Sequence, residues 1–519
     1  MKKKNMIIAG ALLLTTLTVT SCHEEADTLV TYAYDDDMAF RQAEKSYAGK
    51  FRVFWNAMNQ NYLLWDFEKE NGLDWDAIYE EYLPKFEALD KPGTQVSDSL
   101  LRSLLGEMVA PLHDGHMYVQ FKNHQTNNYV MSIPGITRYF KRPDFEETNN
   151  FDSNLSGYEK AGLLKRHLAY GASALNQLYR MLEVKGVGRQ WVKTRIEELR
   201  AKSSLTEREL MQYEGLCALD DELEDLLPAE EGVEFLNNFN SIVDKYSYLK
   251  VPFLEKIDPR FNDYPLALQF AQTKDDIVYL QMSQFGLTTY LHDASFEEAL
   301  GGVKRNEEIR QHVVQIWQAW FDAIQDLHKS GKLRGVIIDV RNNPGGMTYD
   351  ANYVLGALLP SGGHLYGWTR FKRGVGRYDY SPLMPMHMPT MDAPHEVIDD
   401  KPIVILTNAR SVSMSEMTTL SAKQVKNAIV IGRRTYGGLC GLLPNKYNTE
   451  NYSGHIGVEG KTPVYVYMPT VCVLDMDKKS LDGIGIEPDI EVGFDYEEFE
   501  RTGMDSQFDR ALEYIRTGK

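Results

Sequence analysis

The stretch that decides the fold is Gly335-Val336-Ile337-Ile338-Asp339-Val340-Arg341-Asn342-Asn343-Pro344-Gly345-Gly346. It opens with a nearly continuous run of β-branched residues, which is typical of a strand buried on both faces. Two glycines then allow a tight turn in which backbone N–H groups can approach a ligand closely. A helical pattern follows over Tyr349 to Leu358. A buried strand, a glycine turn and a helix in this order are typical of α/β folds.

Similar strands and helices alternate on both sides of this stretch. The other strand runs are Ile277–Leu280, Pro402–Leu406 and Ala428–Gly432, and the other helical patterns are Ile309–Leu327 and Ser413–Val425. Alternation of this kind predicts crossover connections and a largely parallel sheet. We therefore expect a mixed α/β fold, in which an α/β core with a mostly parallel sheet follows an N-terminal helical module and a helical insert.

The chain before this core has a different pattern. Aromatic residues recur at helical spacing near its beginning, for example Phe51, Phe54 and Tyr62. The following region is mostly helical and heavily charged in its later part. The expected division is a signal peptide over 1–21, a tether over 22–40, an N-terminal helical module over 41–125, a mainly helical insert over 126–270, the α/β core over 271–500 and a C-terminal helix over 501–519.

The first residues have the pattern of a secretory signal peptide. Lysines at positions 2 to 4 precede an apolar run from Ile7 to Val19, which is too short for a comfortable membrane span. Val19-Thr20-Ser21-Cys22 then resembles a bacterial lipobox, in which the cysteine becomes the lipidated first residue. The alternative is an ordinary signal peptide with a chance cysteine. We expect a lipoprotein of a Gram-negative-type cell envelope, anchored through Cys22 on the periplasmic face or the cell surface.

The composition narrows the choice of partners. The formal net charge is −18, which disfavours nucleic acid as a partner. The remaining cysteines, Cys217, Cys440 and Cys472, have neither the number of a disulfide framework nor metal-ligand spacing. The sequence therefore predicts no metal and no organic cofactor.

A second strand-to-helix junction contains three serines. Its sequence is Asn408-Ala409-Arg410-Ser411-Val412-Ser413-Met414-Ser415-Glu416. In α/β folds, reactive groups collect where strands end and helices begin. A serine at this point presents its hydroxyl at the start of a helix, where the dipole favours negative charge. The alternative is that these serines only cap the helix.

Together the two junctions resemble the C-terminal processing peptidase family, which includes the tail-specific proteases and the core of the tricorn protease. The likeness extends to Thr435-Tyr436-Gly437-Gly438 and to Gly483-Ile484-Gly485-Ile486-Glu487-Pro488-Asp489-Ile490. It implies that Ser413, three residues before the Glu, is the nucleophile, with Ser411 as the second candidate. It also implies oxyanion donors at the backbone N–H groups of Met414 and of Gly345 or Gly346.

The resemblance also bears on the base. Many members of the family use a Lys one residue after the turn glycine, where this chain has Gly438. In the family's other arrangement the base is a His near the end of the helical module, which corresponds to His116 in Leu112-His113-Asp114-Gly115-His116. The orienting acid corresponds to Asp482. The alternatives are that the two histidines of this motif only pack or cap, and that Asp482 is a turn residue.

These residues predict a serine endopeptidase that acts outside the cytoplasm on proteins or peptides. Ser413 would form an acyl-enzyme, His116 would move the proton and Asp482 would hold the imidazole. Many relatives carry a PDZ module where this chain has the insert 126–270, so recognition of free C-termini is not expected. The competing hypothesis is an inactive lipoprotein that binds peptides or proteins and retains the peptidase fold.

Overall fold

The computed structural model describes residues 43–144, 188–205, 213, 217, 249–258, 266–291, 307–374, 376–391, 394–441, 455–495 and 505–519. The predicted signal peptide, Cys22 and the whole of the predicted tether lie outside these residues. The chain divides into two compact units. Unit 1 comprises residues up to Phe140, Gly367–Pro385 and Gly438–Ile484; unit 2 comprises Lys141–Tyr366, Met386–Gly437 and Gly485–Lys519.

The α-helices of the described residues, in chain order, are α1 Tyr47–Asn61, α2 Trp65–Glu70, α3 Trp75–Leu89, α4 Asp98–Val109, α5 Ile136–Phe140, α6 Gly188–Arg200, α7 Thr288–Leu291, α8 Glu307–Lys329, α9 Met414–Ala422 and α10 Ser506–Thr517. The strands are β1 Tyr118–Asn123, β2 Asn128–Ser132, β3 Leu249–Asp258, β4 Leu266–Thr273, β5 Ile277–Met282, β6 Gly335–Asp339, β7 Leu365–Phe371, β8 Met384–His387, β9 Ile403–Thr407, β10 Ala428–Gly432, β11 His455–Ile456, β12 Val464–Tyr467, β13 Val471–Leu474 and β14 Ile490–Glu491. Among these residues, no helix is both long and apolar enough to cross a membrane.

Unit 1 is built from helices α1 to α4 packed on two small sheets. Ser46, Asp74 and Ser97 cap α1, α3 and α4, because each side chain accepts a hydrogen bond from a backbone N–H of the first turn. The first sheet has the order β11-β12-β1-β2, and the second has the order β13-β7-β8. Strand β1 pairs with β12, with Tyr118 opposite Tyr467. Unit 1 is therefore assembled from three separated stretches, whereas the predicted module ended at residue 125.

Unit 2 contains a seven-stranded sheet of order β14-β10-β9-β6-β5-β4-β3. Neighbours from β14 to β5 are parallel, and β4 and β3 join the edge in antiparallel orientation. Every residue of β5, β6 and β9 is buried, as expected for strands covered on both faces. This confirms the predicted mixed α/β fold with a mostly parallel sheet.

Two elements differ from the expected ones. Strand β3 and the start of β4 lie in the range 126–270, which was predicted to be mainly helical, so the sheet extends past the boundary at 271. The helix expected over Tyr349–Leu358 consists of two 3₁₀ turns, Thr348–Tyr353 and Leu355–Ala357. Val354 interrupts them with ψ −99°, and a Cβ on Gly356 would lie 2.2 Å from the Pro389 carbonyl oxygen. Position 356 therefore has no room for a side chain.

The C-terminal helix α10 is joined to the glycine-turn stretch by a buried ion network. Asp505 caps α10 by accepting hydrogen bonds from the N–H groups of Gln507 and Phe508. Arg341 bridges Asp505 and Asp339, with Nη2–O distances of 2.8 and 2.6 Å. All three charged side chains are buried. Asp339 and Arg341 therefore have a structural role in unit 2.

Candidate active site

Ser413 lies at the point in unit 2 where β9 leads through a short turn into α9. It is the N-cap residue of α9 and has φ 56° and ψ −114°, a conformation that L-residues rarely adopt. Its side chain is half-buried, while the helix that follows is buried throughout. A strained serine on a sharp strand-to-helix turn is the arrangement in which α/β hydrolases expose a nucleophile. The helix N-terminus adds an electrostatic environment that favours negative charge.

The three serines of this turn have different environments. The Ser411 hydroxyl is buried, donates to the Val340 carbonyl at 2.8 Å and accepts from the Asn408 N–H at 3.0 Å. The Ser415 hydroxyl is also buried and donates to the Asn343 carbonyl at 2.8 Å. Both hydroxyls therefore hold the turn together, and Ser413 is the serine that remains partly accessible.

The glycine turn lies directly against Ser413. A Cβ on Gly345 would approach the Ser413 Cβ to 2.6 Å and the Met414 amide nitrogen to 2.9 Å. The two turns are joined by the carbonyl oxygen of Asn343, which accepts from the Val412 N–H at 3.0 Å as well as from Ser415. Only a residue without a side chain fits at position 345 while this contact is kept.

The backbone donors around Ser413 can be distinguished by their hydrogen bonds. The Gly345 N–H is engaged, because it donates to the Asn343 side chain oxygen at 2.8 Å. Among the described residues, no acceptor is found for the N–H groups of Gly346 and Met414. A free N–H beside a nucleophile can stabilise a developing oxyanion. Of the two glycines considered from the sequence, Gly346 therefore has the available donor.

The Glu416 side chain holds the serine turn in place through hydrogen bonds. Its buried carboxylate accepts from the Ser413 N–H at 3.2 Å, the Thr435 hydroxyl at 2.6 Å and the Gly437 N–H at 2.8 Å. The side chain thus connects the start of α9 with the turn after β10. These contacts give Glu416 a structural role.

His116 and Asp482 lie in unit 1, where they form a cluster with Asp114. One potential ligand atom from each of the three side chains lies within 4.8 Å of the others. Asp114 and Asp482 are completely buried and the His116 ring is half-buried. Asp114 Oδ1 accepts from the N–H groups of His116 and Met117 at 2.8 and 3.0 Å, which fixes the turn between α4 and β1.

The other histidine of the motif has a different partner. His113 Nδ1 lies 2.7 Å from Glu68 Oε2, and the His113 N–H donates to Glu68 Oε1 at 2.7 Å. The ring also packs edge-on against Phe67. His113 is thus held by α2, while His116 is the histidine that lies beside Asp482.

Burial shifts the protonation equilibria of the cluster. Removal from water lowers the pKa of His116 to about 4, so its imidazole is neutral at pH 7. Burial raises the pKa of Asp482 to about 6, although the Cys440 side chain and N–H donate to it. Burial and the neighbouring charge of Asp482 together raise the pKa of Asp114 well above its usual value. A neutral imidazole beside a carboxyl group has the composition of a general-base pair.

Asp114 was not predicted as a member of this group. It stands within the His motif, but the sequence reasoning considered only the histidines there. The signal available was its position two residues before His116, since Asp commonly accepts from backbone N–H groups two residues on. Cys440, whose N–H lies 3.4 Å from Asp482 Oδ1, was not predicted as a member of this group either.

Two protein-family models match parts of this chain. Residues 276–492 match the model described as Peptidase family S41, and residues 43–94 match the Tricorn protease C1 domain. The chain therefore contains a domain of peptidase family S41, and the members of this family are hydrolases. The matched region includes Ser413 and Asp482, whereas His116 lies between the two matched ranges.

Two curated proteins have related sequences. A carboxy-terminal-processing protease of Bartonella bacilliformis is 29% identical over 175 residues, which cover 34% of this chain and 35% of that protein. A tricorn protease homolog of Saccharolobus solfataricus is 27% identical over 226 residues, which cover 43% of this chain and 17% of that protein. The chain thus matches about a third of the first relative and about a sixth of the second. The crystal structure of mature CPAF aligns with a TM-score of 0.44 at 11% identity, over 92% of this chain and 97% of that one.

Proposed function

We propose that this chain is a serine endopeptidase that acts outside the cytoplasm, with Ser413 as nucleophile, His116 as general base and Asp482 as the group that orients His116. Ser413 Oγ attacks the carbonyl carbon of a peptide bond while His116 Nε2 takes its proton. The N–H groups of Met414 and Gly346 stabilise the oxyanion. His116 then protonates the leaving amine, and water hydrolyses the ester on Ser413.

The observation that carries the proposal is the environment of Ser413. It combines a strained backbone, a helix N-terminus and an adjacent glycine turn, and the serines on either side are committed to structural hydrogen bonds. Strain at one residue persists only where the surrounding structure enforces it, and such sites are often functional. The surrounding bonds of Asn343 and Glu416 supply that enforcement.

The pairing of Ser413 with His116 is part of the proposal. The two residues belong to different units, and the mechanism requires that they work together during catalysis. Support comes from the local geometry of unit 1, where His116 has a carboxyl neighbour and is neutral at pH 7. The first Lys after Gly438 is Lys446, and the absence of a Lys directly after the turn supports a base in this cluster.

The proposed substrates are proteins or peptides, and the proposed location is the cell envelope with a lipid anchor at Cys22. The carboxy-terminal-processing activity named for the Bartonella protein is a property of that protein. The chain has no sequence resembling the carboxylate loop of a PDZ module, so internal peptide bonds are the proposed targets.

A cleavage assay on an unfolded protein tests this function. With a p-nitrophenyl ester in place of the protein, the wild type is expected to release a burst of one p-nitrophenolate per chain before steady turnover, because an activated ester acylates the serine faster than water deacylates it. Ser413→Ala is expected to lose at least about a thousandfold in kcat. Ser411→Ala is the matched variant and should retain a burst, since its hydroxyl only supports the turn. If Ser411→Ala lost the burst and Ser413→Ala retained it, Ser411 would be the nucleophile.

A further inference from the structure

We propose that Asp114, His116 and Asp482 form a binding site for a divalent transition-metal ion of the Zn²⁺ class, and that the bound ion switches off His116 as a base. The binding site stands on the geometry of unit 1 alone. Its inhibitory effect rests on the proposed function, in which His116 accepts the proton of Ser413.

Two buried polar atoms of this cluster have no hydrogen-bond partner among the described residues. They are His116 Nδ1 and Asp114 Oδ2. Asp114 is 0% exposed, and its other oxygen already accepts two backbone N–H groups. Asp482 lies 3.4 Å from the Cys440 N–H and 3.5 Å from the Ser480 hydroxyl, and the Cys440 thiol and the Gly115 N–H also donate to it. Buried polar atoms without a partner cost free energy, and a bound ion is one way in which they are satisfied.

The donor set suits zinc. Zn²⁺ binds an imidazole nitrogen and carboxylate oxygens at about 2.0–2.2 Å, and open zinc sites use three protein ligands and one water. Two donors of a tetrahedral site at these distances are thus about 3.5 Å apart. The three atoms here lie within 4.8 Å of one another, so a closure of about 1.3 Å brings them to one ion. Two carboxylates also balance the charge of a divalent cation.

Metal binding at Nδ1 has a definite consequence for the other ring nitrogen. A neutral imidazole carries one N–H, and an ion on the Nδ1 lone pair leaves that proton on Nε2. A protonated Nε2 has no lone pair with which to accept the serine proton. The metal-bound chain would therefore be inactive, and removal of the ion would allow the proton to move to Nδ1 and leave a lone pair on Nε2.

Titration calorimetry with ZnCl₂ on the full-length Ser413→Ala chain tests the site without reference to catalysis. We expect one ion per chain, with the Kd raised at least about tenfold by adding Asp114→Asn or Asp482→Asn. Each Asn retains the oxygen that accepts the backbone N–H groups, and circular dichroism melts verify that each variant is folded. His328→Ala is the control, because His328 lies beside Glu396 and Asp400 in a separate surface cluster.

The outcomes decide the proposal separately from the proposed function. The site would be overturned if the folded chain bound no zinc. It would also be overturned if both Asn variants bound zinc with the Kd of the Ser413→Ala chain, or if His328→Ala lost binding. In the wild type, ZnCl₂ should suppress labelling by a fluorophosphonate with a midpoint near the measured Kd, and a chelator should restore it. Unchanged labelling of a zinc-loaded chain would overturn the inhibitory effect. A chain that binds zinc with the expected variant pattern but never labels would support the site and contradict the peptidase proposal.

Discussion

At the scale of single residues, the contact between Gly345 and Ser413 joins the two turns of unit 2. Both residues have positive φ, and a Cβ at position 345 would overlap the Ser413 side chain at 2.6 Å. Ser413 cannot keep its position if residue 345 gains a side chain. Displacement of a reacting group by about 1 Å costs about a hundredfold in rate.

Gly345→Ala is therefore expected to lower kcat/KM at least about a hundredfold. Gly362→Ala provides the matched control, because Gly362 has φ +93° against +98° at Gly345 and has no atom within 4 Å of an added Cβ. The backbone strain is thus similar in the two variants, and only the contact differs. Steady-state kinetics on a peptide substrate measure the effect. Equal losses in the two variants would show that strain, rather than the approach to Ser413, matters.

The sequence predicted some residues of the site and missed others for physical reasons. Ser413 follows from local pattern, since a strand, a serine turn and a helix are adjacent in the chain. His116 and Asp482 are 366 positions apart in the sequence, and their pairing was predicted from the family resemblance. Asp114 was missed because its burial beside Asp482 depends on the folding of distant segments. The choice between Gly345 and Gly346 depended on one hydrogen bond, which the Gly345 N–H donates to the side-chain oxygen of Asn343.

At the scale of elements, the ends of helices α10 and α3 can be compared directly. Asp505 and Asp74 are both N-cap residues that accept two backbone N–H groups. Asp74 is exposed, whereas Asp505 is buried and also pairs with Arg341. Loss of a cap costs about 1 kcal/mol, and breaking a buried ion pair costs about 3–5 kcal/mol.

Asp505→Ala is accordingly expected to lower the free energy of unfolding by about 4 kcal/mol or more, and Asp74→Ala by about 1 kcal/mol. The difference arises because Arg341 is left buried with one partner fewer. Denaturant unfolding followed by circular dichroism gives both values. Similar losses in the two variants would mean that the buried network contributes nothing beyond the cap.

Asp350, in the first 3₁₀ turn, makes the free energy of unfolding depend on pH. Its buried carboxyl accepts from the N–H groups of Leu287 and Thr288 and from the Thr288 hydroxyl, yet burial raises its pKa to about 6. The folded state therefore binds a proton more tightly than the unfolded state, whose carboxyl has a pKa near 3.8. This contribution to stability is complete below pH 3.8 and is lost as pH rises through about 6.

Asp350→Asn should remove that pH dependence. From pH 4 to pH 7 the free energy of unfolding of the wild type is expected to fall by about 2–3 kcal/mol more than that of the variant. Denaturant titrations at the two pH values measure this difference. The exposed carboxyl of Asp322 supplies the control, since Asp322→Asn should behave as the wild type. The same pH dependence in Asp350→Asn and the wild type would contradict the assignment.

Elements with a strong local signal were predicted better than those set by tertiary packing. Continuous β-branched runs identified β5, β6, β9 and β10, because burial on both faces imposes that composition. Strand β4 was not recognised, since a charged helical pattern dominates the region before it. The 3₁₀ turns after the glycines were predicted as a helix because their apolar spacing is helical, and this spacing does not distinguish an α-helix from 3₁₀ turns.

At the scale of the whole molecule, unit 1 is formed by segments that are far apart in the sequence. Strands β12 and β13 follow the serine turn in sequence but pair with β1 and β7 of unit 1. A division into consecutive segments therefore misses that Asp482 belongs with His116. Sheet pairing of distant strands has no local signal, which explains why sequence periodicity alone did not predict it.

The proposed lipid anchor is a property of the complete chain and can be tested in cells. Wild-type protein grown with a labelled fatty acid is expected to incorporate the label and to enter the detergent phase on extraction, whereas Cys22→Ala should do neither. Cys217→Ala is the control and should retain both properties. Incorporation of label into Cys22→Ala would contradict an anchor at this position.

The central claim is that Ser413 is the nucleophile and that His116 activates it. Its most direct test is mass spectrometric mapping of the adduct formed by a fluorophosphonate on the full-length wild type and on His116→Ala. We predict one adduct on Ser413 in the wild type and, in folded His116→Ala, labelling slowed at least about a thousandfold. An adduct on Ser411, or an unchanged labelling rate in His116→Ala, would contradict the claim.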